Sequence, residues 1–247
     1  MENTSSIALS RLVAQQRAMD VTAANIANAG TPGFRAERML FSDWLQREPI
    51  LGTPRGGRIE SFTQDRATYR DTQPGTIRHT GNPLDIAVGD PSGWLTVQTP
   101  RGPRLTRAGH FQLSSTGAII DEQGNALLNA TGQKLQTTPS DVTLTIAADG
   151  TLSSENGQIG KIGVVQAKDI TKLTAEGGRL FALDTTTQPL ASPHLVQGAV
   201  EDSNVQPIIE MNRMTTDMRE FQFASQIIQG ESDRLNGAID KIMRKGT

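Results

Sequence analysis

The side chains able to do chemistry are few and scattered. Histidine occurs as His79, His110 and His194, and none has a neighbour at metal-ligand spacing. A lone histidine in a strand-rich stretch is ordinarily a surface or satisfied packing residue. Gly157-Gln158-Ile159-Gly160-Lys161 suggests a phosphate loop to the eye, but it lacks the four-residue spacing and the hydroxyl residue after lysine. A hairpin turn is the expectation there. Asp85 stands between apolar Leu84 and Ile86 and is a candidate general base. No second carboxylate or histidine lies beside it at recognisable spacing, so a structural hydrogen-bonding role is expected. The chain has no cysteine, which removes disulfides, thiolate zinc sites and a cysteine nucleophile. The expectation is therefore no catalytic residue, no metal and no cofactor. An enzyme here would need residues that converge only in space.

The elements that carry pattern lie at the two ends. From about Val205 to Met243, the residues Met211, Met214, Met218, Phe221, Ser225, Ile228, Ser232, Leu235, Ile239 and Ile242 recur at alternating spacings of three and four. Charged residues such as Arg213, Asp217, Glu220, Glu231 and Lys241 fall between them. This is a heptad seam, and it predicts one long helix, roughly 50–60 Å, that needs a partner helix. Ser203 or Asn204 is a candidate cap, with Pro207 in the first turn. Leu9, Leu12, Gln16, Met19, Ala23 and Ile26 repeat the same spacing at the other terminus. The expected fold class is thus α+β, with long N- and C-terminal helices pairing as a coiled coil around an inserted antiparallel β-rich domain. An amphipathic helix that merely packs on its own core is the plain alternative.

Composition narrows the function classes. The 247 residues suffice for one large domain or two modest ones, and the formal net charge is −2 with both signs interspersed. No basic block marks nucleic acid, and no segment is long and apolar enough to insert directly into a membrane. The N-terminus lacks the basic and apolar regions of a Sec signal peptide, so any export is expected to take another route.

After the first helix, Gly30, Pro32 and Gly33 turn the chain, and Phe34 anchors it. Asn25 and Asn28 are amides suited to bonding free carbonyls or a neighbouring backbone there. Arg38 to Leu45 reads as a short helix or strand, and Ile59 to Tyr69 as extended. From about Gly75 to Ala199, short apolar runs alternate with Gly- and Pro-rich turns at intervals of roughly ten residues, which predicts antiparallel hairpins. The expected strands are Leu84–Val88, Trp94–Gln98, Phe111–Leu113, Ala118–Ile120, Val142–Ile146, Ile159–Val165 and Leu180–Leu183. The domain reading is 1–30 for the N-terminal helix, 31–75 for a connecting region, 76–203 for the β-rich domain and 204–247 for the C-terminal helix.

Four motifs in order carry a family resemblance. Ala24-Asn25-Ile26-Ala27-Asn28 with Thr31-Pro32-Gly33-Phe34 resembles the N-terminal signature of bacterial flagellar rod, hook and hook-associated proteins. Thr80-Gly81-Asn82-Pro83-Leu84-Asp85-Ile86-Ala87-Val88 is similar to the motif opening the β domain of rod proteins. Leu105-Thr106-Arg107-Ala108-Gly109-His110-Phe111, with Gly117 and Gly124-Asn125, resembles the strand-turn pattern that follows. Glu201-Asp202-Ser203-Asn204-Val205 stands where that family has its Ser-Asn-Val segment. Length and Gly93-Trp94-Leu95 look most like the proximal-rod members, with distal-rod members next. Asp90-Pro91-Ser92 lengthens one turn relative to the family, and Pro32 stands where threonine is common.

The resemblance implies a structural subunit of the flagellar basal body, stacking helically into a rod that crosses the periplasm and transmits torque. Its implied partners are copies of itself, other rod proteins including the distal rod, surrounding ring proteins and the flagellar type III export apparatus. The residues expected to assemble are the two seams, with Asn25, Asn28, Gly33 and Phe34 shaping the bend between an inner tube and an outer layer. A binding module on a self-associating coiled-coil stalk, such as an adhesin or a tail-like β domain, is the alternative of a different class.

Overall fold

The computed structural model describes residues 2–48, 58–71, 73–138, 141–168, 173–177, 179–182 and 187–245. The chain divides into two compact units. The first comprises Met1–Ala27, Glu37–Tyr69 and Gln206–Thr247; the second comprises Asn28–Ala36 and Arg70–Val205.

In the first unit, helix α1 (Glu2–Ala27) and helix α2 (Pro207–Lys245) accompany two strands, β1 (Glu37–Glu48) and β2 (Arg58–Arg70), which pair as a two-stranded sheet. α2 opens with proline at its first helical position, where the missing N–H costs nothing. Its first turn is closed by the Gln206 carbonyl, which accepts from the Ile209 and Glu210 amides. Neither Ser203 nor Asn204 acts as the cap, because the Ser203 hydroxyl serves Val205 and the Asn204 amide is engaged elsewhere.

α1 and α2 run antiparallel: Asn25 of α1 reaches Glu210 near the start of α2, and Gln15 reaches Glu220. This register sets the beginning of α1 opposite the turn around Asp233, so the last turns of α2 extend past it.

The expected α+β coiled-coil architecture is not what the chain adopts. Eighteen strands and two helices make up the described secondary structure. α1 is much the shorter helix, and the two do not close on an apolar heptad seam. Among the described side chains, the buried positions of α1 are Ala14, Gln15, Thr22 and Asn25; those of α2 are Glu210 and Ala224. The expected seam residues Leu9 and Met211 are 59% and 57% exposed, and Met218 and Leu235 are exposed as well. Small and polar residues thus supply the fully buried positions, and half of the described stripe is exposed while the rest is only half-buried. Heptad spacing locates a stripe but does not say what covers it.

The second unit is built from short antiparallel strands. β3 (Ile77–His79) pairs with β18 (Ala199–Glu201), and β4 (Ile86–Val88) with β17 (Leu195–Gln197). The largest sheet centres on β5 (Gly93–Thr99), which pairs with β6 (Gly102–Thr106), β9 (Ala126–Leu127) and β13 (Val164–Ala167). Outward from these lie β7 (Phe111–Leu113), β8 (Ile119–Asp121), β14 (Thr174–Glu176), β15 (Leu180–Ala182) and β16 (Thr187–Pro189). A separate three-stranded sheet holds β10 (Leu144–Ile146), β11 (Thr151–Ser154) and β12 (Gly157–Lys161).

Alternation along these strands builds one main core, with Ile86, Leu95, Val97, Phe111, Ile119 and Leu127 among its members. The stretch read as one strand over Ile159–Val165 is two, β12 and β13, because Gly163 lies against the Asn129 carbonyl where a side chain would collide. Gly157-Gln158-Ile159-Gly160-Lys161 is strand β12, paired with β11 across the turn at Glu155-Asn156. Among the described residues, no helix is long and apolar enough to cross a membrane.

Candidate functional site

Two arrangements stand out, one in each unit, and each gathers around a buried glutamate. In the first unit Glu210 is 1% exposed. Its carboxylate accepts from Arg38 at 2.7 Å, Arg213 at 3.1 Å and the Asn25 amide at 3.3 Å. Asn25 also closes a reciprocal pair with the Glu37 backbone: its Nδ2 donates to the carbonyl and its Oδ1 accepts from the amide, both at 2.9 Å. A fully buried asparagine thereby ties the last turn of α1 to the first residue of β1. Asn28 caps the turn that follows, its carbonyl accepting from the Thr31 amide and its Oδ1 from the Thr31 hydroxyl.

The remaining expected residues of this unit form helix surface. On α1, Leu9, Gln16 and Ala23 are exposed, and Leu12, Met19 and Ile26 are half-buried. At about 100° per residue their stripe lies to one side of the buried Ala14, Gln15, Thr22 and Asn25, with Met19 and Ile26 next to Gln15 and Thr22. On α2, Met211, Met218, Ser232 and Leu235 are exposed, whereas Met214, Phe221, Ser225 and Ile228 are half-buried. The side chains of Ile239 and Ile242 lie outside the described residues. Ile208, Phe223 and Ile227 are exposed too, outside the heptad stripe. Their only sequence signal is apolar character on a face that periodicity assigns to solvent.

In the second unit residues of three of the four motifs, Gly33, Arg107 and Glu201 itself, meet at Glu201, which is 2% exposed, and Val88 of the fourth is tied in through Arg107. Its Oε1 meets Arg35 Nη2 at 2.7 Å and accepts from the Gly75 amide at 2.9 Å; its Oε2 meets Arg107 Nη1 at 3.0 Å. Its backbone carbonyl accepts from Gly33 at 2.7 Å. Burial pushes both guanidinium groups down from their ordinary value, and Glu201 pulls them back up.

Arg107 further donates to the carbonyls of Val88, Asp90 and Pro91, and its guanidinium lies over the Trp94 ring at 5.2 Å. The turn at Asp90-Pro91-Ser92 is thus held by this arginine together with the Gly93 amide on the Asp90 carbonyl and the His194 amide on the Asp90 carboxylate. Phe34 packs with Ala36 and Val205, and Arg70 covers its ring at 5.0 Å. Asn204 accepts from the Ala36 amide at 2.7 Å and donates to the Gln73 carbonyl at 2.9 Å.

Asp85 has a partner that sequence spacing hid. His110 Nδ1 lies 2.7 Å from its Oδ1, and Thr80 and Asn82 donate to the same carboxylate at 2.6 and 2.9 Å. The Thr80 hydroxyl bonds the aspartate rather than the histidine, so the group is not arranged to activate a nucleophile. It braces the loop before β4. Among the described residues, no group of three or more metal-ligating side chains occurs.

Comparison with known proteins follows this geometry closely. The family described as "Flagella basal body rod protein" matches residues 6–35, the α1 stripe and the turn to Phe34. "Flagellar hook protein FlgE/F/G D1 domain" matches residues 90–167, and "Flagellar basal body rod FlgEFG protein C-terminal" matches residues 196–240. The flagellar basal-body rod protein FlgF of Mesorhizobium japonicum is 30% identical over 99% of this chain and 100% of its own length. FlgF of Escherichia coli is 31% identical over 88% of this chain and 89% of its own. The rod protein FlgG of Bacillus subtilis is 28% identical, covering 91% and 93%.

Proposed function

The chain belongs to the flagellar basal-body rod protein family, resembling FlgF first and FlgG next, and we propose how it serves there. It is a structural subunit of the rod, not an enzyme, at the flagellar basal body. In our reading, copies stack helically with one another and with other rod proteins to form the proximal part of a shaft that crosses the periplasm and transmits torque. The subunit reaches it through the flagellar type III apparatus, and the distal rod and surrounding ring proteins are its further neighbours.

The observation that carries this reading is the outward apolar stripe. α1 leaves Leu9 and Ala23 of its stripe exposed and Leu12 half-buried, and α2 leaves Met211 and Met218 of its stripe exposed, with Phe223 and Ile227 exposed on another face. Exposed apolar residues on two helices of a chain this polar suit surfaces that meet neighbours. Apolar residues on several faces of α2 suit an open array with heterologous contacts better than a single two-fold pair. In the proposed domain division, 1–30 and 204–247 carry these surfaces, 31–75 connects them and 76–203 is the β-rich part. Asn25, Asn28, Gly33 and Phe34 set the bend where the chain passes from α1 into the second unit.

Sedimentation of the purified chain, alone and with other rod proteins, tests the reading. The expected result is a monomer alone and higher-order stacks with rod partners, lost when Leu12 and Met19 are both changed to serine. A discrete, stable dimer or trimer of the chain alone would overturn it in favour of a self-associating stalk.

A further inference from the structure

One carboxylate facing two buried guanidinium groups is uncommon, and the groups around Glu201 come from widely separated segments. Arg35 lies just before the chain passes on to β1, and Gly75 lies just before β3. Arg107 follows β6, and Glu201 ends the last strand, β18. Asp71 and Asp90 also bear on the two arginines through space. Among the described residues, however, Glu201 is the carboxylate in ion-pair contact with both. A buried guanidinium deprived of its carboxylate is strongly unfavourable. Placing β18 therefore stabilises the segments that carry these groups inward, Arg107 most directly.

Three of these four segments, at Arg35, Gly75 and Glu201, are also joined by main-chain donors: Gly33 donates to the Glu201 carbonyl, Asp202 to the Thr76 carbonyl, and Ala36 to the Asn204 side-chain oxygen. The main core draws instead on strands between Ile86 and Leu195.

We infer that Glu201 is a latch. Residues 33–36, 73–76 and 199–204 open and close around its carboxylate as one cooperative unit, more easily than the large sheet opens. The second unit can then hold its sheet while the chain's entry and return segments are released together. This goes beyond the stacking role, and it stands whether or not that role is correct.

Native-state amide exchange on the full chain tests the latch. The amides of Gly33, Ala36, Gly75 and Asp202 are expected to share one opening constant, larger than that of β5 and β6. Glu201→Gln keeps the side chain's size and removes its charge. It is expected to speed exchange at those four amides about ten- to a hundredfold and leave β8 and β9 within about twofold, while β5 and β6, which flank Arg107, respond in part. Asn204→Ala leaves no buried charge behind and is expected to speed the same set, so it serves if the first variant does not fold. Two results would overturn the latch: exchange of the four amides at the pace of β5 and β6 in the unaltered chain, or uniform acceleration through the unit in Asn204→Ala.

Discussion

The Gly33 amide donates to the Glu201 carbonyl at 2.7 Å, joining the point where the chain enters the second unit to the strand by which it leaves. Gly33 adopts φ of 73°, and a Cβ placed there would overlap the backbone nitrogen of Ala108. Both the conformation and the space exclude a side chain. Gly33→Ala is expected to destabilise the second unit by about 2 kcal/mol or more, read from the urea midpoint. A loss under about 0.5 kcal/mol would show that the turn relaxes freely.

The two faces of the terminal helices should respond oppositely to substitution. Met211→Ser and Met218→Ser alter exposed residues, so the isolated chain's stability should move by less than about 0.5 kcal/mol while stacking with rod partners weakens. Ala224→Leu should do the reverse in the first instance, since it overfills a buried contact at a cost of about 1–3 kcal/mol. Thermal unfolding and sedimentation on the same samples separate the two effects.

Asp85 and His110 touch, yet their loss should be unequal. Asp85 is 1% exposed and accepts from three side chains, so Asp85→Ala strands several donors and is expected to cost about 3 kcal/mol. His110 is half open to solvent, and His110→Ala should cost under about 1 kcal/mol. Equal costs in denaturant titrations would mean that the pair, rather than the carboxylate, braces the loop.

Asp217 lies on the contact side of α2, and burial pushes its carboxyl up, with Glu220 and Glu210 pushing the same way against Arg213. A folded-state pKa above the unfolded one favours the fold at low pH and loses that benefit as pH rises through the folded value. Asp217→Asn should therefore raise the midpoint of the first unit at neutral pH. The advantage should fade as pH falls towards the ordinary aspartate value. A gain that is constant between pH 7 and pH 4 would point to packing rather than charge.

What could be read from the sequence depended on whether a signal was local. Phe111–Leu113 forms a strand over the span its pattern indicates, because alternation and flanking turns lie within a few residues. The heptad stripes on both termini are equally local, and the helices exist. What covers them is not local: Ala14, Thr22 and Asn25 make poor seam residues by hydrophobicity, yet they are the buried ones. Close approach favours small side chains, and Asn25 is held by hydrogen bonds that no periodicity announces. Glu201 and Glu210 were likewise invisible as centres, since an acid beside a Ser-Asn-Val segment reads as surface until Arg35, Arg107 and Arg38 are seen to meet it. His110 escaped as Asp85's partner for the same reason, the two being brought together by a bridge between distant segments.

The last turns of α2 run on past the start of α1, with Leu235 exposed there. A dozen or so residues of single helix are only marginally stable in water, because each residue must be ordered for little more than its own hydrogen bond. In the proposed stack, part of the contact energy at that end would be consumed in ordering the tip, so a first contact between two copies would be weak and reversible until further neighbours flank it.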